Sequence, residues 1–230
     1  MPAPNSKSTS GIVLKRINFG EADRILTIIT PDQGKLSLIA KGVRKEKSKL
    51  AGGIELFSVS SISFIPAKKE IGTLTSSRLV THYGEIVKDI ERTNTAYAIL
   101  TTIDSVTQDN CDIDYYNLLL RSISALNNPE FNLSLIEAWF YMNLIMTMGH
   151  EPNLTTDREG YSLAEASNYA FDQDDMCFVR KAEGSYNSRH IKLMRLLADE
   201  TIERINVVGG VKAEVGVCLQ LLQHIMQTVS

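Results

Sequence analysis

The sequence predicts an α+β protein, an N-terminal five-stranded OB-type β-barrel followed by an α-helical domain. Five short β-branched runs separated by turn residues fill residues 11–82, most of them with no helical period between. From Gly84 onward the apolar residues recur at helical spacing. Charge divides at the same place: residues 1–83 hold thirteen Lys/Arg against six Asp/Glu, and the remainder eleven against twenty-one. A basic part joined to an acidic part points to two domains with different partners. The 230 residues, 43% hydrophobic and 22% charged, have an ordinary globular balance able to bury a core.

The polar residues 1–10 read as a disordered lead-in. They hold no apolar stretch, so they are not a signal peptide. Gly11 to Phe19, rich in Ile, Val and Leu, is the first strand, and Arg24 to Thr30 the second. Pro31-Asp32-Gln33-Gly34 supplies the hairpin turn, and Lys35 to Ala40 is the partner strand. Glu55 to Ile65 is a fourth strand stopped by Pro66, and Gly72 to Val80 a fifth. An SH3-like barrel or a small sandwich is the alternative arrangement. The strand count and the long link between the third and fourth strands favour the OB type.

The helical domain is expected over residues 84–230. Ala96, Ile99, Leu100, Ile103 and Val106 share one helix face. Tyr116, Leu119, Leu120, Ile123 and Leu126 mark the next helix, with Asp112 and Asp114 as capping candidates. Asn132 to Met148 is apolar nearly all round, as a central bundle helix is. Residues 151–183 show no regular pattern. Ser188 is the expected cap of a helix bearing Ile191, Met194, Ala198, Ile202 and Ile205. A last helix carries Val211, Val215, Cys218, Leu222, Ile225 and Val229 on one stripe.

The stretch with most chemical content is Ala40 to Leu50. It packs Lys41, Arg44, Lys45, Lys47 and Lys49 against the single acid Glu46. Like charges this dense repel, and they are tolerated where solvent or a polyanion faces them. On an OB barrel such a loop suits a phosphate backbone. Arg24 and Lys35 join the loop as candidate DNA-binding cations, and Arg16, Lys68 and Lys69 add to the basic balance. Aromatic residues are few. Phe19, Phe57 and Phe64 read as core, so phosphate contacts should dominate over stacking, with strong salt dependence and weak sequence selectivity.

The N-terminal part resembles the RecO family of bacterial DNA repair and recombination mediators. The resemblance rests on Glu21-Ala22-Asp23-Arg24-Ile25-Leu26-Thr27, on Ala40-Lys41-Gly42-Val43-Arg44-Lys45 and on Gly72-Thr73-Leu74, in that order and spacing. It implies an OB domain and a helical domain. It also implies binding of single- and double-stranded DNA and annealing of complementary strands. The partners it implies are RecR and single-stranded-DNA-binding protein, in loading RecA at DNA damage. The acidic, Phe-ending tail of that binding protein would dock on the helical domain and need cations beside an apolar groove. Arg121, Arg189, Lys192 and Arg195 are the candidates.

Gly149-His150-Glu151-Pro152-Asn153-Leu154 resembles the segment after which many members carry zinc-binding cysteine pairs. Here Asp157 and the lone Cys177 stand near those positions, so no metal is expected. Cys111, Cys177 and Cys218 are widely spaced and odd in number, which fits a reducing cytoplasm. No apolar run has the length of a membrane helix. No nucleophile elbow, phosphate-binding Gly-Lys-Ser/Thr loop, dinucleotide fingerprint or His-Glu-x-x-His motif is present. His82, His150, His190 and His224 are scattered. The expectation is a cytoplasmic, nucleoid-associated mediator that is not an enzyme and holds no cofactor. The rivals are an RNA-binding OB module with a helical adaptor, and a protein-only adaptor using its basic patch.

Overall fold

The computed structural model describes residues 6–67 and 71–229, which divide into two compact units, 1–127 and 128–230. In the first, β1 (Lys7–Phe19), β2 (Asp23–Thr30), β3 (Gly34–Ala40), β4 (Ser58–Ile65) and β5 (Gly72–His82) close into a barrel of order β1-β2-β3-β5-β4. Closure is made by a short β3–β5 pairing, Leu38 with Gly72 and Ile39 with Thr73. The β3–β5 pair is parallel and the rest antiparallel. Alternation turns Val13, Leu26, Ile28, Leu38, Ile62, Phe64 and Leu74 into a shared interior. Fully burying such a side chain is worth about 1.5–3 kcal/mol, so this interior fixes the register of all five strands.

The lead-in reading needs correction. Lys7 to Ser10 belong to β1, where they pair with Ser61 to Phe64 of β4, and the Ser8 and Ser63 hydroxyls meet at 2.8 Å. The short polar side chains hid a strand whose pairing is a backbone ladder and needs no apolar pattern. Residues 1–5 of the proposed lead-in, and Lys68 and Lys69, lie outside the described residues. Strand β4 begins at Ser58 rather than Glu55, because Phe57 takes a left-handed conformation (φ 54°) just before it.

The β2–β3 turn forms as its residues suggest. Thr30 Oγ1 donates to the Gly34 carbonyl at 2.9 Å and accepts the Gln33 N–H at 3.1 Å. Two helices complete the unit, α1 (Ile90–Val106) and α2 (Ile113–Leu126). Asp89 caps α1 by accepting the Arg92 N–H at 2.9 Å, and Asp112 caps α2. The Arg92 guanidinium, largely buried, donates to the Leu126 carbonyl at the end of α2 at 3.1 Å. A cation there satisfies a terminal carbonyl and complements the helix dipole.

The second unit is built on α3 (Leu133–Thr147), which packs against α6 (Val211–Val229) and α4 (Ser188–Asp199). Trp139, Phe140, Met142 and Leu144 of α3 are buried, as the all-round apolar pattern requires. The expected single helix through Ile205 is two. Glu200 breaks it in extended backbone (φ -117°, ψ 160°), and α5 (Ile202–Asn206) follows. The freed Glu200 carbonyl accepts the Trp139 indole N–H at 3.0 Å. Asn187, not Ser188, caps α4, through a capping box completed by His190 Nδ1, which accepts the Asn187 N–H at 3.1 Å.

The segment read as irregular holds a three-stranded sheet, β6 (Asn153–Asp157), β7 (Tyr169–Asp172) and β8 (Cys177–Arg180), in the order β6-β8-β7. Strands of four or five residues are too short to show a period. An edge-to-face cluster of Tyr169, Phe171, Phe178 and Tyr186 replaces long strands as the source of cohesion, with centroids 5.1–6.2 Å apart.

Candidate nucleic-acid interface

Residues 41–49 leave β3 as a run of turns before the 3-10 turn at Ala51–Gly53. The loop has a defined shape for a backbone reason. Gly42 adopts φ +63° and donates its N–H to Asp23 Oδ1 at 2.7 Å. The Arg44 N–H reaches the Ala22 carbonyl at 2.9 Å, and the Arg44 guanidinium the Gly20 carbonyl at 3.4 Å. Val43 is 3% exposed and enters the barrel interior, pinning the loop from inside. On the return side the Leu50 carbonyl accepts the Ser77 hydroxyl at 2.9 Å.

The loop is thus fastened by its backbone and one apolar side chain while its cations point out. Lys41, Arg44, Lys45, Lys47 and Lys49 are all exposed, and none forms an ion pair among the described residues. Arg24 sits half-buried at the adjoining strand end, with Nε donating to Asn18 Oδ1 at 3.1 Å. Lys35 is different. Its ammonium donates to the Asp104 carbonyl at 2.8 Å and pairs with Asp104 Oδ1 at 3.3 Å, joining β3 to α1. We therefore assign Lys35 to packing. Arg16 likewise clamps the chain after the loop through the Ile54 carbonyl and Glu55.

The aromatic reading divides. Phe57 and Phe64 are buried, but Phe19 is 52% exposed at the end of β1. Lys15, exposed two turns of the pleat earlier, was also outside the expected cation set. The signal for both was present in the register. They share the parity of Ile17, opposite to that of the inward-facing Arg16 position paired with Leu26.

In the second unit, a cavity of about 450 Å³ is lined by Leu193, Leu196, Val208 and Val211, with Arg189 and Lys192 among its polar residues. Glu214 also lines it, held by Arg189 at 3.5 Å and by His190 Nε2 at 3.0 Å. Lys192 pairs with the exposed Glu165. Arg195 lines a separate cavity and donates Nε to the Leu154 carbonyl at 2.8 Å. Arg121 lies exposed on α2 in the first unit.

In the β6–β8 segment, where no metal is expected, Asp157 is 5% exposed and accepts the N–H groups of Glu159 and Tyr161 at 3.1 and 2.9 Å. Arg158 bridges Asp172 and Asp175 at 3.0 and 2.9 Å. Cys177 is buried, and its thiol is pushed up chiefly by burial and then by Asp175 and Asp172. No grouping of three or more His, Cys, Asp or Glu suited to a metal occurs among the described residues. Burial and Glu214 push the Cys218 thiol up to about 12, so it is no thiolate nucleophile at neutral pH. Among the described residues no helix is long and apolar enough to cross a membrane.

A closed barrel of the OB type with an unpaired cationic loop, followed by a helical unit, defines an α+β protein of the barrel-and-helices class. Family comparison makes this specific. The models described as Recombination protein O N terminal and Recombination protein O C terminal match residues 5–83 and 87–229, so the chain belongs to the RecO family. It is 34% identical over 149 residues to the DNA repair protein RecO of Acetivibrio thermocellus, an alignment spanning 64% of this chain and 59% of that one. Identity is 33% over 158 residues to the protein of the same name from Dehalococcoides mccartyi strain CBDB1, covering 67% and 60% of the two chains. With the Syntrophomonas wolfei protein of that name it is 26% over 215 residues, covering 88% and 84%. The chain spans about three fifths of the length of the first two relatives.

Proposed function

We propose that the chain is a DNA repair and recombination mediator. Its barrel, Lys7 to His82, binds single- and double-stranded DNA and brings complementary strands together. The single observation that carries this reading is the exposed cation set Lys41, Arg44, Lys45, Lys47 and Lys49, without ion pairs among the described residues, on a loop fastened by the Gly42 and Arg44 backbone and the buried Val43 side chain. Exposed cations with no carboxylate held against them are available to replace counterions on a phosphate backbone. Annealing needs charge neutralisation and accessible bases, not bond making, so no catalytic residue, metal or cofactor is assigned. Membership in a family whose relatives are named DNA repair protein supports the same reading.

The helical unit would receive proteins, RecR and the tail of single-stranded-DNA-binding protein, in a nucleoid-associated complex that loads recombinase. The cavity at the head of α4 and α6 is the candidate seat for an acidic segment ending in an apolar ring: Arg189 and Lys192 flank an apolar floor, and the segment would have to compete with Glu214 and Glu165 for them. Arg189→Glu combined with Lys192→Glu is expected to weaken a fluorescent acidic tail peptide at least tenfold while leaving DNA affinity unchanged, read by anisotropy. Loss of neither, or of both, would move the tail elsewhere.

The function itself is tested by annealing two complementary oligonucleotides with purified protein and no added nucleotide or metal, across a salt series. Acceleration that fades with salt is expected. A folded protein that accelerates nothing would sink the annealing role, and tighter binding to RNA of equal length would favour the RNA-binding alternative.

A further inference from the structure

Phe19 lies on a strip whose composition a solvated surface does not explain. Directly paired antiparallel residues project to the same sheet face. Leu26 and Leu38 are an inward pair, so their neighbours Ile25 and Ile39, also paired, face outward, and Ile17 pairs with Ile25. Ile17 is 48% exposed and Phe19, two residues on, 52%. Lys15, two residues before Ile17, is exposed on the same side. Scattered exposed apolar residues are ordinary, but Ile17, Ile25, Ile39 and Phe19 occupy one outer face across three adjacent strands. Phe19 has no ring partner among the aromatic contacts of the described residues.

The strip ends where the basic loop is fastened. Phe19 pairs with Asp23, and the Asp23 carboxylate is turned to the Gly42 N–H. The next residue, Gly20, offers its carbonyl to Arg44. Exposed acids nearby are Glu21 at the β1–β2 turn and Glu46 within the loop, against Lys15, Lys41, Arg44, Lys45, Lys47 and Lys49. An apolar strip closing on an aromatic ring beside surplus positive charge fits a strand that offers bases and phosphates together.

We infer that Phe19 is a stacking platform for an unpaired base of single-stranded DNA whose phosphates lie on the Lys41–Lys49 loop. This rests on the DNA-binding reading above and adds to it a means of telling one strand from two. A base within a duplex is stacked and paired, so it cannot present its face to Phe19. The contact therefore favours the unpaired strand and is surrendered on annealing, which lets the product leave.

The test measures binding of the full chain to an oligothymidine and to a blunt duplex of equal length, each across a salt series. Phe19→Ala is expected to weaken oligothymidine binding about tenfold or more, with duplex affinity and both salt slopes unchanged. Phe19→Trp is expected to bind oligothymidine like the parent and to change its emission on binding, since the native Trp139 is buried. Equal losses on both ligands, or none with the parent binding normally, would overturn the stacking role alone. Failure of the parent to bind either ligand would remove the DNA reading and this inference together. Loss of a protein partner with single-strand binding intact would assign the strip to protein and overturn the inference.

Discussion

Replacing Lys41, Arg44, Lys45, Lys47 and Lys49 together by Ala is expected to weaken binding of single- and double-stranded DNA by about a hundredfold or more at low salt. The physical basis is counterion release. Each engaged cation contributes about 0.9 to the slope of log affinity against log salt on duplex DNA, so with all five engaged the slope should flatten by up to about 4.5. The fold should survive, because none of the five side chains enters the barrel interior and none forms an ion pair among the described residues. The fastening survives too: Gly42, Val43 and the Arg44 backbone do not change. Only the weak Arg44 guanidinium contact to the Gly20 carbonyl at 3.4 Å is lost. Binding measured by anisotropy across salt, with a thermal melt on the same samples, separates the two effects. A variant with unaltered slope and annealing rate would clear the loop of any role in DNA binding. Lys35→Ala should behave in the opposite way, because its ammonium joins β3 to the Asp104 end of α1.

The loop and the barrel were legible in the sequence for the same reason: both are written in strong, local patterns. The β-branched run Ile25 to Ile29 and the spacing of Leu36 and Leu38 mark two strands, and Pro31 with Gly34 sets the turn between them. The density of lysine between Ala40 and Leu50 is visible without any fold. Other features depended on partners far along the chain. Nothing near Lys35 announces Asp104, and nothing near Trp139 announces that its indole N–H will satisfy the Glu200 carbonyl where the α4–α5 break falls. Phe19 was read as core because rings are usually buried. Its parity with Ile17 becomes informative only once Ile17 is known to pair with the outward-facing Ile25. The strands β6 to β8 escaped because their cohesion comes from Tyr169, Phe171, Phe178 and Tyr186 meeting edge to face, an arrangement with no sequence period.

Gly34→Ala is expected to destabilise the barrel unit strongly, through backbone conformation and a backbone clash together, and Gly20→Ala is its control. Both glycines have left-handed backbone, φ +63° and +56°, which costs an L-residue roughly 1–2 kcal/mol. Their surroundings differ. A Cβ on Gly20 would meet nothing within 4 Å. On Gly34 it would come within 2.7 Å of Asn110 Cα and N and 2.8 Å of Cys111 N. Those are backbone atoms of the connection between α1 and α2, where Gly34 also bridges to Asp109, so no side-chain rotation relieves the clash. Separating the hairpin from that connection should bring the total to about 3 kcal/mol or more, a fall in Tm of about 10 °C. Gly20→Ala should lose only a few degrees. Because Gly34 begins β3 and the basic loop follows its other end, Gly34→Ala protein held below its melting point should bind DNA with the parent's salt slope. Equal falls in Tm for the two variants would mean that backbone conformation alone sets the cost and that the approach of Gly34 to Asn110 is not tight in solution.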